Sequence, residues 1–162
     1  MEVCTVAKVV TVDQQPPVWR AWATTAGVGL LVGVIFCILA AILGRYVIEP
    51  LSCGGGDAAQ CAQAVGLAGN IATVLAAAAG VGLAIRYGLA RPLFVGIAAA
   101  VFLWGLGDWT AGMFWLEIFG WAVLLYAATY ALFAWIASWL NVWLVLGVSL
   151  AIVVIERIVL AL

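Results

Sequence analysis

Five apolar stretches, each close to the length of a membrane-crossing helix, occupy most of the chain. A helix needs about 20 apolar residues to cross a bilayer core of about 30 Å. The stretches predict an all-α integral membrane protein, a polytopic bundle of about five transmembrane helices. The third stretch reaches Asp108 after only 16 residues, so a four-span alternative, with that segment tilted or partly re-entrant, stays open. The predicted spans are residues 21–48, 62–85, 92–107, 114–137 and 141–162.

The composition agrees with lipid as the main solvent of the chain. Hydrophobic residues make up 69% of the sequence and charged residues 8%, against about 45–50% and about 25% in a soluble domain. A globule of this size leaves much of its surface in water, so such a composition excludes a soluble enzyme. The net charge of −1 supplies no basic field for nucleic acid. We therefore expect the lipid bilayer as a partner and no nucleic acid.

Residues 1–18 differ from the rest of the chain. They are rich in β-branched residues and end close to Gln14-Gln15-Pro16-Pro17, a run that breaks regular structure. We predict an extended cytoplasmic tail, followed by a single transmembrane helical domain at residues 19–162. The alternative for the tail is a strand that pairs with the edge of a partner's sheet.

The basic residues predict the orientation of the bundle. Lys8 and Arg20 precede the first span, and Arg86 and Arg91 flank the turn between the second and third spans. Because cytoplasmic loops carry an excess of lysine and arginine, the N-terminus and this turn are expected in the cytoplasm. Residues 50–61 are then expected outside. The expected location is a bacterial inner (plasma) membrane.

Two of the four cysteines, Cys53 and Cys61, share this exterior loop. An oxidising compartment permits a disulfide there, and three consecutive glycines let the backbone fold back between the sulfurs. We predict a Cys53–Cys61 disulfide, with free thiols at Cys4 and Cys37. The alternative is a metal site that uses the two thiolates and Asp57, and it lacks a fourth ligand.

Small residues recur at every fourth position on the first two predicted helices. Helices in lipid associate through close contact at such residues, which form a smooth groove on one helical face. We predict that the two ladders pack against each other, with Gly33 facing the second, so that Gly33→Leu disrupts folding and Val32→Leu is nearly silent. Chance is the alternative, because the second helix is rich in alanine. The first ladder is Gly29, Gly33, Cys37 and Ala41; the second, the alanine ladder, is Ala64, Ala68, Ala72, Ala76, Gly80 and Ala84.

Catalytic and transport chemistry has few candidate residues. Histidine is absent, which excludes imidazole ligands to haem or zinc and histidine general bases. We therefore predict that the chain is not an enzyme, with no catalytic residue, cofactor or metal. Polar groups inside membrane spans are functional candidates by default. Asn70 and Thr73 are the deepest such pair, and Asp108 and Glu117 lie near the expected exterior face.

These features predict a small inner-membrane structural or accessory subunit without catalysis. It would pack through its small-residue and aromatic helix faces, as a homo-oligomer or with other membrane-protein subunits of a larger complex. Seven of the nine tryptophans lie in residues 92–162 and supply the aromatic faces. The alternative is a small oligomeric channel or carrier for a small solute, for which the available pore-lining polar residues are Asn70, Thr73, Thr129 and Ser149.

Overall fold

The computed structural model describes residues 18–52, 58–89, 91–110, 112–139 and 142–161. Within these ranges every regular element is a helix and there is no strand, which confirms the all-α prediction for the described part of the chain. The elements are α1 (Val18–Ile42), a π-helical segment (Leu43–Ile48), α2 (Glu49–Ser52), α3 (Ala58–Arg86), α4 (Pro92–Phe102), α5 (Leu106–Trp109), α6 (Trp115–Trp139) and α7 (Val142–Ala161).

Three helical stretches are long and apolar enough to cross a bilayer: Trp22–Leu51, Gly66–Arg86 and Trp115–Ser138. Two further apolar helical stretches, Pro92–Phe102 and Leu146–Ile155, are shorter. The structure is therefore compatible with a membrane location, and the count of five spans stays a prediction.

The first long stretch changes its helical geometry near its end. The N–H of Glu49 donates to the carbonyl of Gly44, five residues earlier, so the turn is wider than in an α-helix. This widened turn directly precedes Pro50, whose ring would clash with the carbonyl of residue 46 in a regular α-helix. Its last residue, Ile48, is buried against Ala68 of α3. The wide turn thus continues the helix up to a proline and keeps one side chain packed on α3.

The third predicted span is an interrupted helix. Helix α4 has 11 residues, about 17 Å at 1.5 Å per residue, which is too short to cross the bilayer alone. The chain then turns through Gly105, whose φ of +86° lies in the left-handed region that glycine adopts without strain. One further helical turn, α5, follows. Leu103 and Leu106, on either side of Gly105, are both buried, so the interruption is packed against protein on this side.

Helices α4 and α5 together run antiparallel along α3. At the α4 end, Gly96 packs against Val81. At the α5 end, Gly107 lies against Gly69, and the Asp108 carboxylate against Gly66. Contacts therefore extend along α3 from Val81 to Gly66 even though the α4–α5 segment is broken between them.

The core lies between α1, α3 and α6, with α4 closing one side. Phe133 of α6 is fully buried and meets Phe94 and Phe102 of α4 edge to face, with ring centroids 6.3 and 6.1 Å apart. Offset and edge-to-face pairs of this kind add attraction beyond the apolar area that they bury. The largest fully buried side chains of the core are Tyr126, Tyr130, Phe133, Leu103, Leu106, Val28, Val32 and Val95.

The two small-residue ladders do not face each other, so the predicted pairing of Gly33 with the alanine ladder is wrong. A Cβ at Gly33 would lie 2.8 Å from Cα of Val123, and one at Gly29 would lie 2.7 Å from Cα of Ala127, both in α6. Glycine allows the backbones of α1 and α6 to approach this closely, which no larger residue permits.

The residue that faces α3 from α1 is instead Val32. Its Cγ2 would lie 3.0 Å from a Cβ at Gly80, and the side chain is 0% exposed. A silent Val32→Leu is therefore not expected. The last member of the first ladder, Ala41, is exposed.

The alanine ladder is a buried face of α3. Its described members are all buried: Ala68, Ala72, Ala76, Gly80 and Ala84. The side chain of Ala64 lies outside the described part of the structure. Ala72, Ala76 and Ala84 are 0% exposed, so this face receives other elements along most of its length.

Candidate functional site

A central polar cluster of four neutral side chains lies where α1, α3 and α6 meet. It consists of Cys37 of α1, Thr73 of α3, and Tyr126 and Tyr130 of α6. Tyr126 faces Thr73 and lies within electrostatic range of Cys37 and Tyr130. Cys37, Thr73 and Tyr126 each stand within one helical turn of the midpoint of their candidate span. The cluster thus occupies the middle depth of the three helices that are long enough to cross a bilayer.

The two tyrosine hydroxyls of this cluster are buried: Tyr126 is 1% exposed and Tyr130 is 0% exposed. The Thr73 hydroxyl lies within hydrogen-bonding reach of the Tyr126 hydroxyl, whereas no described atom of the chain pairs with the Tyr130 hydroxyl. Thr73 is also buried, and its hydroxyl donates to the carbonyl of Gly69 at 3.0 Å, which leaves its oxygen lone pairs as acceptors. Buried polar groups in proteins are almost always hydrogen-bonded, so the buried Tyr130 hydroxyl without a described partner is exceptional.

The alanine ladder makes room for the Tyr130 phenol, whose hydroxyl occupies the space that a Cβ at Gly80 would fill. The Tyr126 ring packs against Phe36 of α1, with ring centroids 5.3 Å apart. The Tyr130 ring therefore enters the core from α6 and ends against the small-residue face of α3.

Asn70, predicted as a transport residue, holds the break between α4 and α5. Its side-chain oxygen accepts a hydrogen bond from the Gly105 N–H at 3.3 Å. Gly105 is the N-cap residue of α5, and amide groups at the start of a helix have no partner within it. An amide left unpaired in an apolar interior is costly, and the Asn70 side chain satisfies this backbone group.

The acidic candidates Asp108 and Glu117 are both exposed. Glu117 lies in the first turn of α6, where a negative charge is favoured by the helix dipole, whereas Asp108 lies in the single turn of α5. The Asp108 carboxylate also fills the space beside Gly66. No group of three or more histidine, cysteine or acidic residues within the described ranges could hold a metal ion.

The predicted Cys53–Cys61 disulfide falls outside the residues that the structure describes. Cys53 and Cys4 lie in undescribed segments, and of Cys61 only the backbone position in α3 is described. Cys37 is a half-buried free thiol.

Sequence reasoning missed Tyr126 and Tyr130, although the sequence carries a signal for them. Tyrosine in a membrane protein is enriched at the interfaces, where its hydroxyl reaches water. These two instead stand near the middle of a long apolar run, four residues apart and hence on one helical face. Their distance from both ends of the span indicates buried hydroxyls that need a partner.

Comparison with known proteins identifies no relative of this chain. No protein-family model matches the chain, and no curated protein or solved structure matches it. Function is therefore inferred from the packing and the polar groups of the chain itself.

Proposed function

We propose that this protein is a small inner-membrane structural or accessory subunit that assembles with itself or with a larger membrane complex and performs no catalysis. The use of Asn70 carries this proposal: its side chain, the deepest amide of the described spans, caps the broken helix at Gly105. Thr73, the other deep candidate, donates to the backbone of its own helix. Both groups serve the fold, and a transport path built on them would have to break these bonds.

Five membrane crossings remain our proposal for the topology. The antiparallel contacts of α4 and α5 with α3 support it, because an interrupted segment that accompanies a spanning helix can cover the same depth. Broken helices are tolerated in membranes where the interruption is packed against protein. The basic residues near the N-terminus and at 86–91 favour a cytoplasmic N-terminus.

The outward surfaces of α6 and α7 support assembly within the bilayer. Both carry large exposed apolar side chains, of which Trp143 on α7 is the most exposed. Such a surface requires lipid or another apolar protein surface around it. Other exposed members are Trp115, Leu116, Trp121, Leu124, Trp135, Leu146, Leu150, Ile155 and Ile158.

Mass measurement of the protein purified in mild detergent tests this proposal. We expect a particle that contains two or more copies of the chain, or the chain together with a stoichiometric partner. Trp121→Leu on the outer face of α6 should weaken that assembly, whereas Leu75→Ile on α3 should leave it intact. A strictly monomeric, partner-free protein would contradict the proposal.

A small channel or carrier is the second candidate, favoured by the buried, unpartnered hydroxyl of Tyr130. Solute flux into reconstituted vesicles tests it. A carrier that uses this hydroxyl should lose flux in Tyr130→Phe while the protein stays folded. Loss of flux in Asn70→Leu alone would not support a channel or carrier, since that substitution also removes the hydrogen-bond partner of the Gly105 N–H.

A further inference from the structure

We propose that the basic end of the bundle binds anionic phospholipids, whose phosphate groups contact Arg20, Arg86 and Arg91. The basic end comprises the first turn of α1, the last turn of α3 and the connection that leads into α4. Lipid binding here requires a membrane location, but it does not require the chain to assemble with itself or with another subunit.

These three segments lie at one end of the bundle because α1 and α3 are antiparallel. Val32 of α1 lies against Gly80 of α3, and farther along α1 Ile48 packs on Ala68, which is nearer the start of α3. The first turn of α1 is therefore at the same end as the last turn of α3. Helix α4 also begins at this end, since only a short connection separates it from α3.

All described charged side chains at this end are arginines. Arg20 lies in the first turn of α1, Arg86 is the last residue of α3 and Arg91 is the N-cap residue of α4. Each of them is exposed. No described carboxylate at this end neutralises them. The described acidic residues lie toward the opposite end of the bundle and are Glu49, Asp108 and Glu117.

This excess of positive charge fits the phosphate groups of anionic lipids. Basic residues near a membrane surface attract such lipids over a distance of about a Debye length. A guanidinium also matches a phosphate group in shape, because it can donate two parallel hydrogen bonds to it. Residues 1–17 add one lysine and two acidic residues, so this end of the chain keeps its excess of positive charge.

Aromatic neighbours place two of the arginines at the level of lipid headgroups. Trp19 and Tyr87 are both exposed, next to Arg20 and Arg86 in the chain. The Arg20 guanidinium carbon lies 5.6 Å from the centroid of the Trp19 ring, within range of a cation–π attraction. Exposed tryptophan and tyrosine concentrate where the hydrocarbon of a bilayer meets water. That level is also where the phosphate groups of lipids lie.

An apolar surface for acyl chains begins beside the arginines. Leu93, Ile97 and Val101 follow Arg91 at four-residue spacing and are all exposed, so they form an apolar stripe along the outer side of α4. On α3 the exposed Ile85 precedes Arg86. A phospholipid whose head contacts the arginines can lay its acyl chains on this surface. The stripe favours a lipid over a free phosphate ion, which would gain nothing from it.

Native mass spectrometry of the full chain in mild detergent tests this preference. The protein is incubated with an equimolar mixture of phosphatidylglycerol and phosphatidylcholine that carry the same acyl chains, so that only the headgroups differ. The ionic strength is varied with ammonium acetate. The same spectra give the number of chains in each particle, so a failure of lipid binding is distinguishable from a failure of assembly.

We expect phosphatidylglycerol to be bound in excess over phosphatidylcholine, and this excess to fall as the ionic strength rises. Arg20→Gln and Arg86→Gln should each lower the preference by up to about fivefold, the factor expected for one basic residue near an anionic membrane surface. Arg45→Gln is the matched control, because Arg45 is an exposed arginine toward the opposite end of α1, and it should leave the preference unchanged.

Equal binding of the two lipids by the unaltered chain, at every ionic strength, would overturn the proposal. The same holds if Arg45→Gln lowers the preference as much as Arg86→Gln does, since the basic end would then have no special role. Displacement of phosphatidylglycerol by an equal concentration of inorganic phosphate would also overturn it, because the arginines would then bind an anion without regard to the lipid.

Discussion

The two small-residue ladders are alike in sequence, but they pack against different parts of their neighbours. The glycines of the first ladder, Gly29 and Gly33, allow two backbones to meet, because a Cβ at either would lie within 3.0 Å of an α6 backbone atom. The alanine ladder instead accommodates side chains, with the Tyr130 hydroxyl at Gly80. Four-residue spacing therefore indicates that a face is packed without indicating what packs there.

The two kinds of contact differ in how far the neighbouring atoms can move when a methyl group is added. A backbone that meets a new methyl group can move only if the whole helix moves, and interiors are packed too densely to allow that freely. A tyrosine side chain can shift by a small change in its torsion angles. We therefore expect substitutions in the first ladder to cost more than equal substitutions in the alanine ladder.

The largest effect is expected for Gly29→Ala. The added Cβ would lie 2.7 Å from both Cα of Ala127 and the carbonyl oxygen of Tyr126, so α1 and α6 must separate. We expect a loss of about 3 kcal/mol or more in the free energy of unfolding, at the upper end for overpacking. Unfolding of the purified protein by SDS in mixed micelles measures it.

Gly27→Ala is the matched control, two residues away on the same helix, where a Cβ has open space. There the higher helix propensity of alanine should be neutral or favourable by up to about 1 kcal/mol. Equal effects of the two substitutions would show that α1 and α6 do not approach closely in the membrane protein, and the comparison between the ladders would fail.

A smaller effect is expected for Gly80→Ala in the alanine ladder, about 1–3 kcal/mol, because the new methyl group meets the Tyr130 hydroxyl. In a Tyr130→Phe background the cost should fall, since the atom in closest conflict is gone. It should not vanish, because the ring atom Cζ and Val32 Cγ2 would each still lie 3.0 Å from the new Cβ. A double-mutant cycle measures the coupling between the two substitutions. Strictly additive effects on the free energy of unfolding would show that the Tyr130 side chain does not contact Gly80.

The sequence could predict which helix faces are packed but not which helix each one meets. Small residues at every fourth position are a local property of one helix, so Gly29 and Gly33 could be recognised from spacing alone. The partner of that face depends on the order of helices around the bundle, and although consecutive elements are usually neighbours, the chain order does not specify it. The structure pairs α1 closely with α6 as well as with α3.

The candidate site was only partly predictable for a related reason. Asn70 is identifiable from sequence because an amide is rare in an apolar run, but its role depends on Gly105, a residue 35 positions away. Tyr126 and Tyr130 counted as hydrophobic residues in every measure of the span. Their position near the middle of a long apolar run is the sequence signal for buried hydroxyls, but which residues they meet on α3 depends on the packing of the helices.

Asn70, near the middle of α3, makes a third kind of contact, which Asn70→Leu tests. Its side chain pairs with the turn at Gly105, whose N–H would lose its acceptor. Leaving that amide unpaired should cost about 1–3 kcal/mol, with about 2 kcal/mol expected because the group is only partly buried. Hydrogen exchange at the Gly105 amide should accelerate in this variant.

The neighbouring substitution Ile71→Leu is the control for Asn70→Leu, because Ile71 is exposed on another face of α3. It should change neither the stability nor the exchange rate at Gly105. Unchanged exchange at Gly105 in Asn70→Leu would mean that the turn is held by its packing alone, without the side chain of α3.

The smallest effects are expected for substitutions that add or move a single carbon atom of an apolar side chain. Val32 is 0% exposed, and its Cγ2 already approaches the space beside Gly80, so Val32→Leu should cost about 1 kcal/mol through overpacking. Leu75 is 44% exposed on the outer side of α3, so Leu75→Ile should stay within about 0.5 kcal/mol. Unfolding in mixed micelles resolves this difference when both variants are compared with the unaltered chain. A silent Val32→Leu would mean that α1 and α3 adjust to one another easily, and that tight packing is confined to the contact between α1 and α6.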